Sequence, residues 1–306
     1  MRRKIIKQGT ATLTLSLPAK WTKKFSLKAG DEVEVEEKEK ELLVTAGKIS
    51  ERKKEITIEI TEHNKQDIQA LLTHIYRKGF DAILLKNVPN NTMPQVNTAV
   101  SLLLGFEITE KEGKQCRIVN ISEPTEEKYD ALLRRNFLII KETQSIIQKD
   151  IETGKYENIR EIEALRKQQD KFILFCKRVL TREQPQAMTN WELLTWLMHI
   201  EHAYHYLYHY TMENNVKKTD KIIELLKNAQ ECFQLFYDAY YKKDINAIHK
   251  LNKLKKEYQF GKCYKYLEHA KGKEAVVYCA LREILRLIQI GSSPILSGLL
   301  EEQITP

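Results

Sequence analysis

LPAKWTKKFSLKAGDEVEV, residues 17–35, is the stretch from which the fold of the N-terminal part is read. Pro18 sets the first turn of a short amphipathic helix running to Phe25, with Trp21 on its apolar side. Leu27 to Asp31 then reads as a turn that returns the chain to a strand at Val33-Glu34-Val35-Glu36. Upstream, Thr12-Leu13-Thr14-Leu15-Ser16-Leu17 alternates in period two, and Leu42, Leu43 and Val44 close the segment downstream. Such alternation is that of half-buried strands. A domain of about 48 residues built from elements this short leaves too much surface exposed to be stable alone, so pairing with a second copy is expected.

Charge singles out the same segment. The 306 residues carry 50 Lys and Arg against 42 Asp and Glu, a net +8. Residues 1–28 hold Arg2, Arg3, Lys4, Lys7, Lys20, Lys23, Lys24 and Lys28 and no carboxylate, so the whole surplus sits there. Directly after it, Asp31 to Glu41 carries seven carboxylates and two lysines. The acidic stretch is expected at the opposite end, facing away from a polyanionic partner, a split that orients the partner's approach so that the basic side meets phosphates. Thr10, Thr12 and Thr14 add small hydroxyl donors between the charges.

Beyond residue 54 the texture changes twice. Ile56, Ile58 and Ile60 alternate as a strand, and Asp67 to Lys78 is helical, with Gly79 where a C-terminal glycine belongs. A strand at Phe80 to Lys86, a loop from Pro89 to Pro94, a helix to Leu104 and a hairpin of Phe106 to Lys111 with Gln115 to Ile121 complete a small β-α-β-α-β-β unit. From residue 125 onward every segment has helical period, and six helices are expected at about 125–153, 156–180, 189–213, 217–242, 244–270 and 273–290. Thr189-Asn190-Trp191-Glu192 has the spacing of a capping box. The expected fold is therefore α+β multidomain. Residues 1–50 form a β-rich dimerising domain and 51–122 a small α/β spacer or regulatory module. Residues 123–306 form an all-α region of two three-helix bundles, about 123–213 and 214–306.

Composition narrows the function classes. With 42% apolar residues, 11 Gly and 7 Pro, the chain is neither disordered nor low-complexity. No run approaches the roughly 18–20 apolar residues of a membrane span, and Cys116, Cys176, Cys232, Cys263 and Cys279 form no CxxC pair, which suits buried thiols in a reducing cytoplasm. A nucleophile with its base, or a phosphate-cradling glycine loop, is not apparent, so no enzyme is expected.

The N-terminal segment resembles the swapped-hairpin DNA-binding domains of the AbrB, MazE and SpoVT group. Carrying the resemblance are Gly9 before an alternating strand, Leu17-Pro18 opening the helix, Trp21 with Leu27, and Gly30-Asp31 before a strand, preceded by the basic RRKIIKQGT. It implies a homodimer of interlaced hairpins that presents Arg2, Arg3, Lys4, Lys7, Thr10, Thr12, Lys20, Lys23 and Lys24 to double-stranded DNA. YRKGFDAILLKN, LLLGFEITEK and YDALLRRNFLIIKETQ look like archaeal regulators that join such a domain, through an α/β segment, to a PhoU-type helical region. That resemblance implies a cytoplasmic transcriptional regulator of phosphate uptake. The alternative it leaves open is a PhoU-like accessory protein acting on a phosphate transporter's ATPase subunit, or on another phosphate-signalling protein, without operator binding.

PhoU-type bundles carry acidic ExxxD motifs that bind metal clusters, because residues four apart share a helix face. Here Asp170 and Glu201 are kept, His205 stands in the second aspartate's place, and Glu283 is followed by Leu287. His199, His202, His205 and His209 nevertheless fall within about 120° of one helix face, opposite Leu197, Ile200, Tyr204, Leu207 and Tyr208. Asp170, Glu201, His202 and His205 are thus candidates for one divalent ion, against the plainer reading of surface histidines. Trp191, Trp196, Phe233, Phe236, Tyr237, Tyr240 and Tyr241 are read as core, and Lys250, Lys253, Lys255 and Lys256 as a solvated face.

Overall fold

Alternation at the N-terminus becomes two separate antiparallel hairpins in the computed structural model, which describes residues 2–9, 12–38, 41–46, 54–122, 126–181 and 187–304. Strand β1 (Ile5–Gln8) pairs β2 (Thr12–Leu15), and β3 (Val33–Lys38) pairs β4 (Glu41–Ala46). Helix α1 (Ala19–Lys24) stands between them, with Pro18 at its N-cap as the sequence reading requires. The turn after it is held by the Lys28 amide donating to Asp31 Oδ2 at 2.7 Å. The chain divides into two compact units, Met1–Lys53 and Lys54–Pro306.

The second unit begins with a four-stranded sheet of order β5-β6-β8-β7, formed by β5 (Glu55–Glu59), β6 (Ala82–Lys86), β7 (Phe106–Glu112) and β8 (Gln115–Asn120). The β5 and β6 pair is parallel and the others antiparallel. Helices α2 (Ile68–Arg77) and α3 (Met93–Ser101) belong to the same module, and Leu72, Tyr76, Val96 and Ala99 bury their apolar sides in its core. Gly79 takes a φ of +78° directly past the C-cap of α2, a conformation an L side chain rarely adopts. At Gly105 a Cβ would stand 2.7 Å from the Ser122 carbonyl, so only glycine lets β7 start there.

Seven helices follow: α4 (Glu126–Thr153), α5 (Ile159–Leu180), α6 (Ala187–Glu213), α7 (Asp220–Tyr241), α8 (Ile245–Glu257), α9 (Cys263–Leu267) and α10 (Lys273–Ile304). The first three pack on one another, as do the last four, and α6 against α10 joins both groups into one continuous core. That core takes the aromatic residues: Tyr204, Phe233 and Phe236 are fully buried, and Tyr237, Tyr240 and Tyr241 surround Phe137. The protein is thus α+β, with N-terminal strands, a small sheet module and an all-helical C-terminal region.

Three local expectations are corrected. The helix expected over 244–270 is interrupted by a π-type turn at Tyr258–Lys262. Core positions Leu251, Leu254 and Tyr258 are followed by Cys263, a step of five, and one wide turn is what keeps both sides of it facing inward. Helix α10 runs on through Pro294 to Ile304 instead of ending near 290. Thr189 lies inside α6, which begins at Ala187, so it does not cap the helix; Glu192 accepts from Trp196 Nε1 at 3.3 Å instead. The sheet module and the helices lie together in the compact unit Lys54–Pro306.

Candidate nucleic-acid interface

Helix α1 is where the cations are most concentrated. Lys20, Lys23 and Lys24, at i, i+3 and i+4, share one face of it and all are exposed. Trp21 and Phe25 occupy the neighbouring side with ring centroids 5.5 Å apart, and Lys24 Nζ lies 5.4 Å from the Phe25 ring centre. Arg2, Arg3 and Lys4 are exposed ahead of β1, and Lys7 is exposed within it. Among the described residues none of these cations is ion-paired to a carboxylate. Like charges this close repel one another, and counter-charge from outside relieves them.

The strand register sorts the remaining candidates. Ile5 and Lys7 face across to Leu15 and Leu13, whereas Ile6 and Gln8 face across to Thr14 and Thr12. Lys7 and Thr12 therefore lie on opposite faces of the hairpin, because residues directly across a ladder share a face. Gln8 joins Thr12 on its face; being uncharged, it did not stand out in the sequence. Thr10 lies outside the described residues.

What this unit lacks is a core of its own. None of the described residues from 2 to 46 is buried. Nine large apolar side chains are exposed, namely Ile5, Ile6, Leu13, Leu15, Leu17, Phe25, Val35, Leu42 and Leu43, with Ile5 and Leu13 each at 67%. Val33, Val35, Val44, Ala46 and Leu42 share one face of the second hairpin. A two-stranded hairpin is marginal by itself in water, and these faces require an apolar partner.

The histidine helix α6 gathers only part of the metal set. Asp170 Oδ1 on α5 lies 2.8 Å from His202 Nε2, and its Oδ2 accepts from Arg166 Nη1 at 2.9 Å. Glu201 turns into the core, where it is fully buried and accepts from Thr143 Oγ1 at 2.7 Å. Burial pushes its carboxyl up to about 8, against the hydrogen bond from Thr143. His205 stacks toward His209 with ring centroids 4.4 Å apart, and burial together with the neighbouring His209, Arg166 and His202 charges pushes it down to about 4. Among the described residues no three His, Cys, Asp or Glu side chains are grouped to hold a metal ion. Of the four expected ligands two meet; Glu201 is diverted because it sits at the border between the histidine arc and the apolar arc. The second-half counterpart is likewise committed, Glu283 pairing with Arg286 and Leu287 lying in the core.

Residues 6–54 match the family model described as antidote-toxin recognition MazE, bacterial antitoxin. No curated protein and no solved structure shows significant similarity to the chain. The matched residues overlap this unit and include Lys7, Lys20, Lys23 and Lys24, while Arg2, Arg3 and Lys4 precede them. Among the described residues no helix is long and apolar enough to cross a membrane.

Proposed function

We propose that the protein is a homodimeric, DNA-binding transcriptional regulator whose N-terminal units pair to form one reader. The observation that carries the reading is the N-terminal unit itself, with no buried residue among those described, nine exposed large apolar side chains and a face of clustered, unpaired cations. A second copy covers the apolar faces, and duplex DNA neutralises the basic one. Arg2, Arg3, Lys4, Lys7, Lys20, Lys23 and Lys24 contact phosphates and set position; Thr12 stands with Gln8 on the other face of its hairpin from Lys7. The match to an antitoxin family over residues 6–54 supports a regulatory role for this unit.

The finer reading concerns the signal. The resemblance of 76–87, 102–111 and 129–144 to phosphate-uptake regulators with PhoU-type helices assigns the helical region the task of reporting phosphate supply, through a partner or a ligand. Sequencing the genomic fragments retained by the purified full-length protein tests both levels. Fragments upstream of phosphate-uptake genes are expected. Retention of other promoters would overturn the phosphate assignment alone, and retention of none would overturn the regulator reading.

A further inference from the structure

Outside the first 28 residues the chain is neutral in sum, yet that sum conceals a second concentration of charge. Residues 242–273 hold ten lysines against Asp244, Glu257 and Glu268. Some of these lysines are engaged: Lys250 with Glu231 at 3.2 Å, Lys262 with Glu224 at 2.7 Å and Lys242 with Asp238 at 3.1 Å. Lys253, Lys256, Lys265 and Lys271 are exposed and have no ion-pair partner among the described residues.

The π-type turn decides what stands between them. By shifting the core position from 262 to Cys263, it turns Phe260 and Tyr264 outward, each 41% exposed. Lys253, Lys256, Phe260 and Tyr264 then follow one another along the outer side of α8 and α9 in steps of three and four, with Lys265 adjoining. Both rings carry a cation: Lys255 Nζ lies 5.7 Å from the Phe260 ring centre, and the Arg282 guanidinium lies 5.1 Å from that of Tyr264 and donates to its hydroxyl at 3.1 Å. The rings meet edge to face at 5.6 Å.

From this arrangement we infer that the outer side of α8 and α9 is a second polyanion-binding surface, and that its ligand is the sugar-phosphate backbone of double-stranded DNA. Charge complementarity selects a polyanion. Two half-exposed rings among free lysines are too little apolar area for a lipid interface, which calls for a broad apolar helix face. Stacking on unpaired bases needs free ring faces, whereas these rings already have cations over them. Exposed lysines as point charges suit phosphates along a duplex. The inference goes beyond the reading above, which places every DNA contact in the N-terminal unit.

Lysine acetylation of the full-length protein, mapped by mass spectrometry with and without a short DNA duplex, tests it. Duplex is expected to protect Lys253, Lys256 and Lys265 while leaving Lys149 and Lys167, on other helices, reactive. Vesicles of phosphatidylcholine with phosphatidylserine form the second arm. Protection by vesicles but not duplex, or by neither, would overturn the inference. In parallel, K253Q/K256Q/K265Q, three exposed substitutions whose fold is checked by circular dichroism, should lower the slope of log affinity against log salt by about 0.9 for each phosphate no longer neutralised. An unchanged slope would also overturn it. Failure of the N-terminal reading is seen separately, as Lys20, Lys23 and Lys24 left reactive while the α8 and α9 lysines are protected.

Discussion

Arg178, near the end of α5, donates from Nη2 to Asp81 Oδ1 at 2.8 Å, although the two residues are 97 apart in sequence and Arg178 is only 1% exposed. The same guanidinium donates from Nη1 to the carbonyls of Tyr76 and Phe80 at 3.0 and 2.6 Å and lies 5.1 and 4.9 Å from the centres of the Tyr76 and Phe106 rings. Asp81 in turn accepts from the Lys54 amide through Oδ2. This buried ion pair ties the sheet module to α5, beside the packing of α2 on α5 and of Leu174 on the module's core. Removing one partner leaves the other charge buried, a cost of about 3–5 kcal/mol. Arg178→Lys is expected to recover only part of the urea-midpoint loss expected of Arg178→Ala, because an ammonium donates from a single nitrogen and cannot span acceptors served by Nη1 and Nη2. Full recovery by lysine would contradict the pinning role.

The proposed self-association rests on the apolar faces of the N-terminal hairpins. Val35→Asp places a carboxylate amid Val33, Leu42, Val44 and Ala46. Sedimentation should then report monomers where the wild type is dimeric, with helix content unchanged, since none of the described residues of this unit contributes to the helical core. A variant that stays dimeric would place the interface elsewhere.

Glu201 makes stability depend on pH. Its folded carboxyl titrates near 8 and its unfolded one near 4.5, so the native state holds the proton longer. The contribution is full below about 4.5 and is lost as pH rises toward 8, at about 1.4 kcal/mol per pH unit for a fully buried group. Glu201→Gln keeps an acceptor for Thr143 and removes the titration. Its melting temperature should vary less than that of the wild type across this window, and equal slopes would show that Glu201 ionises freely in the fold.

Metal content follows from the α5 and α6 geometry. With Glu201 turned inward, and Asp170 shared between His202 and Arg166, the double variant His202→Ala with His205→Ala should carry the same zinc as the wild type after equal loading. Zinc present in the wild type and lost from the variant would restore the histidine helix as a site.

Much of this was legible in the sequence because local chemistry agreed with the fold. Pro18, Gly79 and the alternation of Ile56 and Ile58 placed their elements within a few residues. Other features lay in relationships that a linear reading cannot rank. The five-residue core step from Tyr258 to Cys263 is present in the sequence, but Lys262 continues the ordinary helical spacing and hides it. Pro294 suggests a stop, yet α10 continues through it with Ile295 buried in the core. Arg178 and Asp81 are two ordinary charges in a chain that is 30% charged, and only folding makes them a pair. For the candidate interface, the residue types were visible while their faces were not. The β1 and β2 register is what separates Lys7 from Thr12.

The central claim is that the N-terminal unit binds duplex DNA through its unpaired cations, and titration of the full-length protein with DNA from its own promoter at increasing salt tests it most directly. With about six phosphate contacts per dimer, affinity should fall on the order of a thousandfold between 50 and 200 mM salt. Arg3→Ala with Lys23→Ala should bind more weakly and with a shallower slope while remaining dimeric and helical. A salt-insensitive affinity, or a double variant that binds like the wild type, would contradict the account.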